Sequence, residues 1–440
     1  AGMPLGVLAL IAIGFANDYT CVIMVRAASR LGVSGYEEVV LAAGGRRALL
    51  WCRGALVVLL FGSMCGCMAA IQETSARALG QLGAETKSGL AVWLSTSETG
   101  RNALLMTLTV LVLLPLSLAS LGELHCVSLL GVTLMISISA YVVGAAISVR
   151  FDDTIDTATT QLFMLPRENL GLMEAASTFG YAFYVQPCTV PLLRTLPAGE
   201  EGASTLVAAL HLTYAITGLA YLCVGLGGLM FFGEGHVPQD LLQGFSGRVG
   251  GCLAGVFSLY LMLCFSPTVV PLRETLVRLY HESSMEYFSS SQPSPRRTRD
   301  SALDTTESRL QDATLPPPRP AVLPPLQNAI LTATIVGLAL SVAALLPNAS
   351  AQIFALTGAT GVCFIGYVFP IYSFWCLPEE LGGAPMLAKA STCWSAFVTW
   401  ISARVWPALV LVLGCLVSML TLLAVFEQWA NPEAATTCEP

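Results

Sequence analysis

Apolar residues run along this chain in long unbroken blocks, not in the alternating pattern of strands or the narrow stripes of helices that face water on one side. Blocks of roughly 20 residues suffice to cross about 30 Å of hydrocarbon as a helix. They recur near 4–25, 48–72, 102–121, 124–148, 171–193, 206–232, 250–276, 327–346, 351–376 and 403–427. Backbone polar groups must be paired inside a bilayer, and a run this long achieves that only as a helix, whereas a barrel would show short alternating segments. The pattern predicts an all-α polytopic membrane protein with ten visible spans.

One block departs from the rest. "GYAFYVQPCTVPLLRTL", residues 180–196, places Gln186, Pro187 and Pro191 in an otherwise apolar span. Each proline removes a helical hydrogen bond and strains another, so a break or kink is expected here. Freed backbone groups at membrane depth are tolerated where protein or a water-filled cavity satisfies them. Two readings follow: a binding site lined by an interrupted helix, as in many secondary transporters, or a kinked packing helix whose glutamine bonds a neighbour.

Composition agrees with the hydropathy pattern, since 55% of residues are hydrophobic and 11% charged, against about 25% charged in soluble domains. The net charge of −7 says little, because orientation follows the placement of Lys and Arg. Counted over alternate loops they divide 15 to 6, and 10 to 6 without the longest loop, which puts the side carrying Arg26, Arg30, Arg46, Arg47, Arg194, Arg273 and Arg278 in the cytoplasm. Both ends then fall outside the cytoplasm. The chain opens on Ala1 without a signal peptide, so a further helix and a cytoplasmic tail are expected upstream.

The domain organisation predicted is a transmembrane part over 1–280, a disordered cytoplasmic linker over 281–326, three more spans over 327–430 and an extracytoplasmic tail over 431–440. The linker is rich in Ser, Pro and charge. Its "SPRR" and "PPPRP" strings offer a phosphate acceptor and a polyproline segment to a cytoplasmic partner, with plain tethering as the alternative. Asp152, Asp153 and Asp156 form an acidic outer loop, and Asn348 lies in a sequon within a tight turn. The 14 cysteines mostly fall inside apolar runs and read as small buried hydrophobes. No spacing suggests a metal or haem site, no cofactor is expected, and nothing points to nucleic acid. Asp18, in "FANDYTC", is the carboxylate set deepest in an apolar run. It is a candidate for proton or cation handling, or else a carboxyl satisfied by a neighbouring helix. His211 reads as an interfacial residue near a span end.

"FYVQPCTVPLLRTL" resembles the Phe-x-x-His/Gln-Pro-x-x-x-Pro signature of the sixth helix of the amino acid/auxin permease family, in particular its sodium-coupled neutral amino acid transporter branch. "SGYEEVVLAAGG" (34–45), "GGLMFFGEGHVPQDLLQGFSG" (227–247) and "LLPNASAQIFALTGATGVCFIGYVFPIYSFW" (345–375) resemble further family segments in the right order. The resemblance implies eleven helices in a LeuT-like bundle of two inverted repeats, with the first helix absent from this chain and the substrate held between broken first and sixth helices. It assigns substrate binding to Gly180, Tyr181, Ala182, Phe183, Tyr184 and Gln186. Open backbone would meet the amino or carboxylate group, and the aromatics would shape the side-chain pocket. For Tyr181 and Phe183, packing is the alternative. Ser266 and Thr268 in "CFSPTVVPLRE" are the hydroxyls available to a sodium site, or else bond back to their own helix.

The functional expectation is a secondary active amino acid transporter, not an enzyme, working by alternating access coupled to sodium or protons. A non-transporting amino acid sensor of the same fold and an inactive fragment are the alternatives. Expected partners are the amino acid and the lipid bilayer. The choice between plasma and internal membrane stays open, as does the oligomeric state.

Overall fold

The computed structural model describes residues 3–118, 125–151, 169–233, 241–290, 324–381 and 401–430. The described residues are helical apart from turns, with no strand among them. In chain order the elements are α1 (Met3–Leu31), α2 (Tyr36–Thr86), the short α3 (Gly89–Thr96), α4 (Glu98–Leu118), α5 (His125–Phe151), α6 (Asn169–Ala182) and α7 (Gln186–Thr189). There follow α8 (Glu200–Phe232), α9 (Gly247–Ser290), α10 (Pro325–Leu345), α11 (Ser350–Cys376) and, after a π turn at Ile401–Val405, α12 (Trp406–Ala430).

Nine of these helices are long and apolar enough to span a bilayer. They match nine of the ten expected spans, and the protein is an integral multi-pass membrane protein. The tenth expected span, 171–193, is the interrupted pair α6 and α7. Two boundaries differ from expectation. α9 runs on to Ser290, so residues 281–290 are helical where the linker was expected to begin. α2 is 51 residues long because it passes through a kink at Gly45 (φ 68, ψ −166) without ending, a conformation open to glycine. The rest of the expected linker before Pro324, the acidic loop with Asp152, Asp153 and Asp156, and the 431–440 tail lie outside the described residues.

Long apolar faces decide the packing. α2 and α9 form the most extensive helix pair, and around them Met64, Met68, Ile71, Leu105, Phe265 and Leu272 bury completely or nearly so together with Ala339 of α10. A second cluster joins Met24 of α1, Val39 and Leu59 of α2, and Ile365 and Ile371 of α11. A third packs Cys21 and Val25 of α1 on Phe183, Leu206 and Tyr214. Large exposed side chains such as Leu111, Ile136 and Leu219 point outward. On a soluble protein so much exposed apolar surface would drive aggregation; here it faces lipid. The expectation that cysteines are buried holds for Cys21, Cys52, Cys65, Cys67 and Cys363, whereas Cys223 of the outlying α8 is exposed.

The loop ahead of α2 is built by its own polar residues. The Glu38 carboxylate accepts hydrogen bonds from the backbone N–H groups of Ser34 (3.2 Å) and Gly35 (3.0 Å). Glu37 forms a buried ion pair with Arg53 at 2.7 Å, with Arg278 of α9 at 3.6 Å. The Tyr36 hydroxyl reaches across to α11 and donates to the Ile365 carbonyl at 2.6 Å.

Candidate functional site

The chain leaves helical geometry at Phe183–Val185 and resumes it at Gln186. Val185 has φ −148 and ψ −5. Pro187 therefore sits in the first turn of α7, where its missing N–H takes nothing from a hydrogen-bond ladder. Beyond Thr189 the chain tightens into a 3₁₀ helix, Val190–Thr195, which carries Pro191 in its own first turn.

A helix that stops inside a membrane leaves its last carbonyls without helical partners. Two of them are met from α8. The Tyr221 hydroxyl donates to the Ala182 carbonyl (3.0 Å) and the Tyr214 hydroxyl to the Phe183 carbonyl (3.2 Å). On the other side of the break, the Val185 N–H donates to Oε1 of Gln186 at 3.0 Å.

Gln186 is the centre of a buried polar chain. Its Nε2 donates to Oδ1 of Asn17 at 2.8 Å, and Nδ2 of Asn17 donates to the Tyr367 hydroxyl and to the Ile13 carbonyl, both at 2.9 Å. Gln186 and Asn17 are fully buried, and Tyr367 nearly so. Thr20 and Thr189 extend the chain, donating to the Asn17 and Gln186 carbonyls, and Cys21 meets Thr189 with Sγ and Oγ1 3.2 Å apart. Three elements are thus tied at one point: α1, the restart of the broken helix and α11. Unpaired amides at this depth would each cost about 1–3 kcal/mol, so the pairing holds all three together.

Small residues make the approach possible. A Cβ on Gly366 would lie 3.6 Å from both Asn17 Oδ1 and Gln186 Nε2, and one on Gly180 would lie 3.6 Å from the Tyr367 hydroxyl. The α11 stretch Gly358–Val368 is wound as a π-helix, a rare form that is frequent at functional sites.

Beside this point runs a cavity of about 1010 Å³ between α1, α6, α11 and α12, mostly apolar and lined by Gly180, Ser177, Tyr367, Asp18 and His211 among others. On α1 its lining reaches from Ala12 to Arg30, about 27 Å at the helical rise. Asp18 and His211 are hydrogen-bonding partners, with Nδ1 of His211 2.7 and 2.9 Å from the two carboxylate oxygens.

The sequence-predicted residues divide as follows. Gly180 and Asp18 line the cavity. The Ala182 carbonyl caps the break, and Phe183 is buried against Gly14, Tyr214 and Tyr221. Tyr181 packs on Phe354 and stacks with Tyr184, while Gln186 holds Asn17. Asp18 has a neighbouring-helix partner, and that partner is His211, eleven residues into α8. Ser266 corrects the expectation of a bond to its own helix: its hydroxyl donates to the Leu116 carbonyl of α4 at 2.8 Å. Thr268 does bond back, to the Cys264 carbonyl at 3.4 Å. Asn348, at φ 61, accepts a hydrogen bond from Arg101. Sequence reasoning missed Asn17 and Tyr367. Asn17 was visible as a polar residue in an apolar run, but nothing in the sequence names its partners. Among the described residues no three of His, Cys, Asp and Glu gather as metal ligands.

A family model described as transmembrane amino acid transporter protein matches residues 1–380. Among curated proteins, none matches the chain.

Proposed function

Because the chain belongs to the transmembrane amino acid transporter family, a family of transporters rather than enzymes, we propose that it is a secondary active transporter that moves an amino acid by alternating access, driven by a sodium or proton gradient. The observation that carries this reading is the interruption at Phe183–Val185 next to the cavity. A zwitterionic substrate needs hydrogen-bond donors and acceptors at membrane depth, and a broken helix supplies them from its own backbone. Gly180 leaves room for a ligand against that backbone, and Tyr367 places a hydroxyl opposite it.

The clamp between Gln186, Asn17 and Tyr367 supports alternating access. It joins the restart of the broken helix to α1 and α11 by side-chain hydrogen bonds, which two packings of the bundle can make and break. Ser266 is buried between α9 and α4, and its oxygen keeps lone pairs available to a sodium ion.

The test is uptake of a labelled amino acid panel by the full chain in proteoliposomes, with sodium and proton gradients imposed separately. Accumulation above equilibrium under one gradient supports the reading. Specific amino acid binding without accumulation under either gradient contradicts it and favours a sensor of the same fold.

A further inference from the structure

We propose that the outward face of α2 just past its kink binds an anionic phospholipid, with Arg46 and Arg47 holding the headgroup phosphate and the apolar face beyond them taking an acyl chain.

The apolar block within α2 begins at residue 48, so Arg46 and Arg47 stand where the headgroup layer meets hydrocarbon. Gly45, at φ 68 and ψ −166, breaks the helical path directly ahead of them. Both arginines are exposed. From there Arg47, Trp51, Gly54 and Val58 follow at helical spacing on one face, and all four are exposed, Trp51 to 76%. A Cβ on Gly54 would meet nothing within 4 Å, so the missing side chain leaves an open notch between Trp51 and Val58. From Arg47 to Val58 the helix rises about 16 Å, and one leaflet's share of the hydrocarbon is about 15 Å. An acyl chain anchored by its phosphate at Arg47 therefore runs along this face to Val58.

Phosphate is the matching headgroup because no carboxylate cancels the arginines from within. Glu37 and Glu38 are the acidic residues ahead of the kink. Glu37 is turned into the bundle, 2.7 Å from Arg53 and 3.6 Å from Arg278, and Glu38 accepts the N–H groups of Ser34 and Gly35. Arg53 is buried with Glu37 and takes no part. Arg46 has a contact within the protein, so Arg47 carries the larger share. Arginines beside a span attract anionic lipid, and tryptophan at the same level is at home among headgroups. A free phosphate would meet the arginines alone, whereas a lipid also covers the exposed indole and the notch.

The site touches the rest of the bundle through α11. Ahead of the kink, the Tyr36 hydroxyl donates to the Ile365 carbonyl within the π-wound stretch, and a Cβ on Gly44 would lie 2.7 Å from the Tyr372 ring. A headgroup held at Arg46 and Arg47 thus steadies the part of α2 that grips α11.

The experiment places the full chain in phosphatidylcholine vesicles that contain a small fixed share of brominated phosphatidylserine or of brominated phosphatidylcholine, and reads tryptophan quenching. The chain has seven tryptophans, so the Trp51 component is taken as the difference made by Trp51→Phe in each background. Stronger quenching of Trp51 by the brominated phosphatidylserine is the expected result, with the preference reduced about fivefold in Arg47→Gln, kept in Arg47→Lys, and unchanged in Arg26→Gln on α1. Thermal midpoints show that each variant is folded. Equal quenching by the two lipids in the wild type, or a preference that survives Arg47→Gln, overturns the inference. So does an equal loss in Arg26→Gln, which assigns the preference to surface charge in general, or an equal loss in Arg47→Lys, which keeps the charge. Inorganic phosphate added at constant ionic strength leaves the preference in place at a lipid site; displacement of the phosphatidylserine by it assigns the arginines to a free anion and overturns the inference.

Discussion

Nε2 of Gln186 donates to Oδ1 of Asn17 at 2.8 Å, with both side chains fully buried, so the first residue after the helix break is bound to α1. Truncating one partner leaves one polar atom of the other amide, Asn17 Oδ1 or Gln186 Nε2, without its partner, which costs about 1–3 kcal/mol. Gln186→Ala and Asn17→Ala should each lower the thermal midpoint and cut uptake about tenfold or more, since about 1.4 kcal/mol is a factor of ten. The double variant should cost less than the sum of the two. Thermal unfolding and initial uptake rates of the four proteins check this.

Tyr221→Phe and Tyr214→Phe remove hydroxyls from the Ala182 and Phe183 carbonyls while keeping the rings. Each lost hydrogen bond should cost about 1 kcal/mol, and amide hydrogen exchange over residues 179–185 should rise in both variants with little change in α2 or α9.

Glycine positions should differ sharply. A Cβ on Gly361 would lie 2.7 Å from Cα of Leu59, a backbone atom that cannot step aside, whereas one on Gly180 would make ordinary contacts with the Tyr367 hydroxyl at 3.6 Å and a Val362 methyl at 4.0 Å. Gly361→Ala should destabilise by about 1–3 kcal/mol. Gly180→Ala should fold at least as well as wild type, because alanine favours a helix over glycine by about 1 kcal/mol. Midpoints of thermal unfolding in detergent distinguish the two.

The buried Glu37–Arg53 pair at 2.7 Å predicts a third pattern. Arg53→Met strands a carboxylate that keeps only Arg278 at 3.6 Å, and breaking a buried pair from one side costs about 3–5 kcal/mol. Arg53→Met with Glu37→Gln should recover much of that loss in the same unfolding measurement.

Much of this architecture was legible in the hydropathy pattern because apolar length alone decides whether a segment spans a bilayer. The break was half legible. Within the apolar spans, prolines four residues apart occur as Pro187/Pro191 and Pro267/Pro271, yet only the first pair accompanies an interruption; α9 runs through the second. The difference lies in neighbours far away in sequence. Tyr214, Tyr221 and Asn17 supply partners to backbone and glutamine groups at the first site, and no local pattern marks them as such. The same limit hid Tyr367, an ordinary aromatic until the π-wound stretch of α11 sets it against Asn17, and the pairing of Asp18 with His211, which depends on where α8 begins.

The central claim is that the interruption at Phe183–Val185 is the part of the chain that meets the amino acid. Its most direct test is amide hydrogen exchange of the full chain in lipid, with and without the amino acid that it accumulates. The account predicts added protection concentrated in residues 179–189 and in the Gly358–Val368 stretch that faces Gly180, and loss of that protection in Gln186→Ala. Protection that appears elsewhere in the bundle while 179–189 stays unchanged would contradict it.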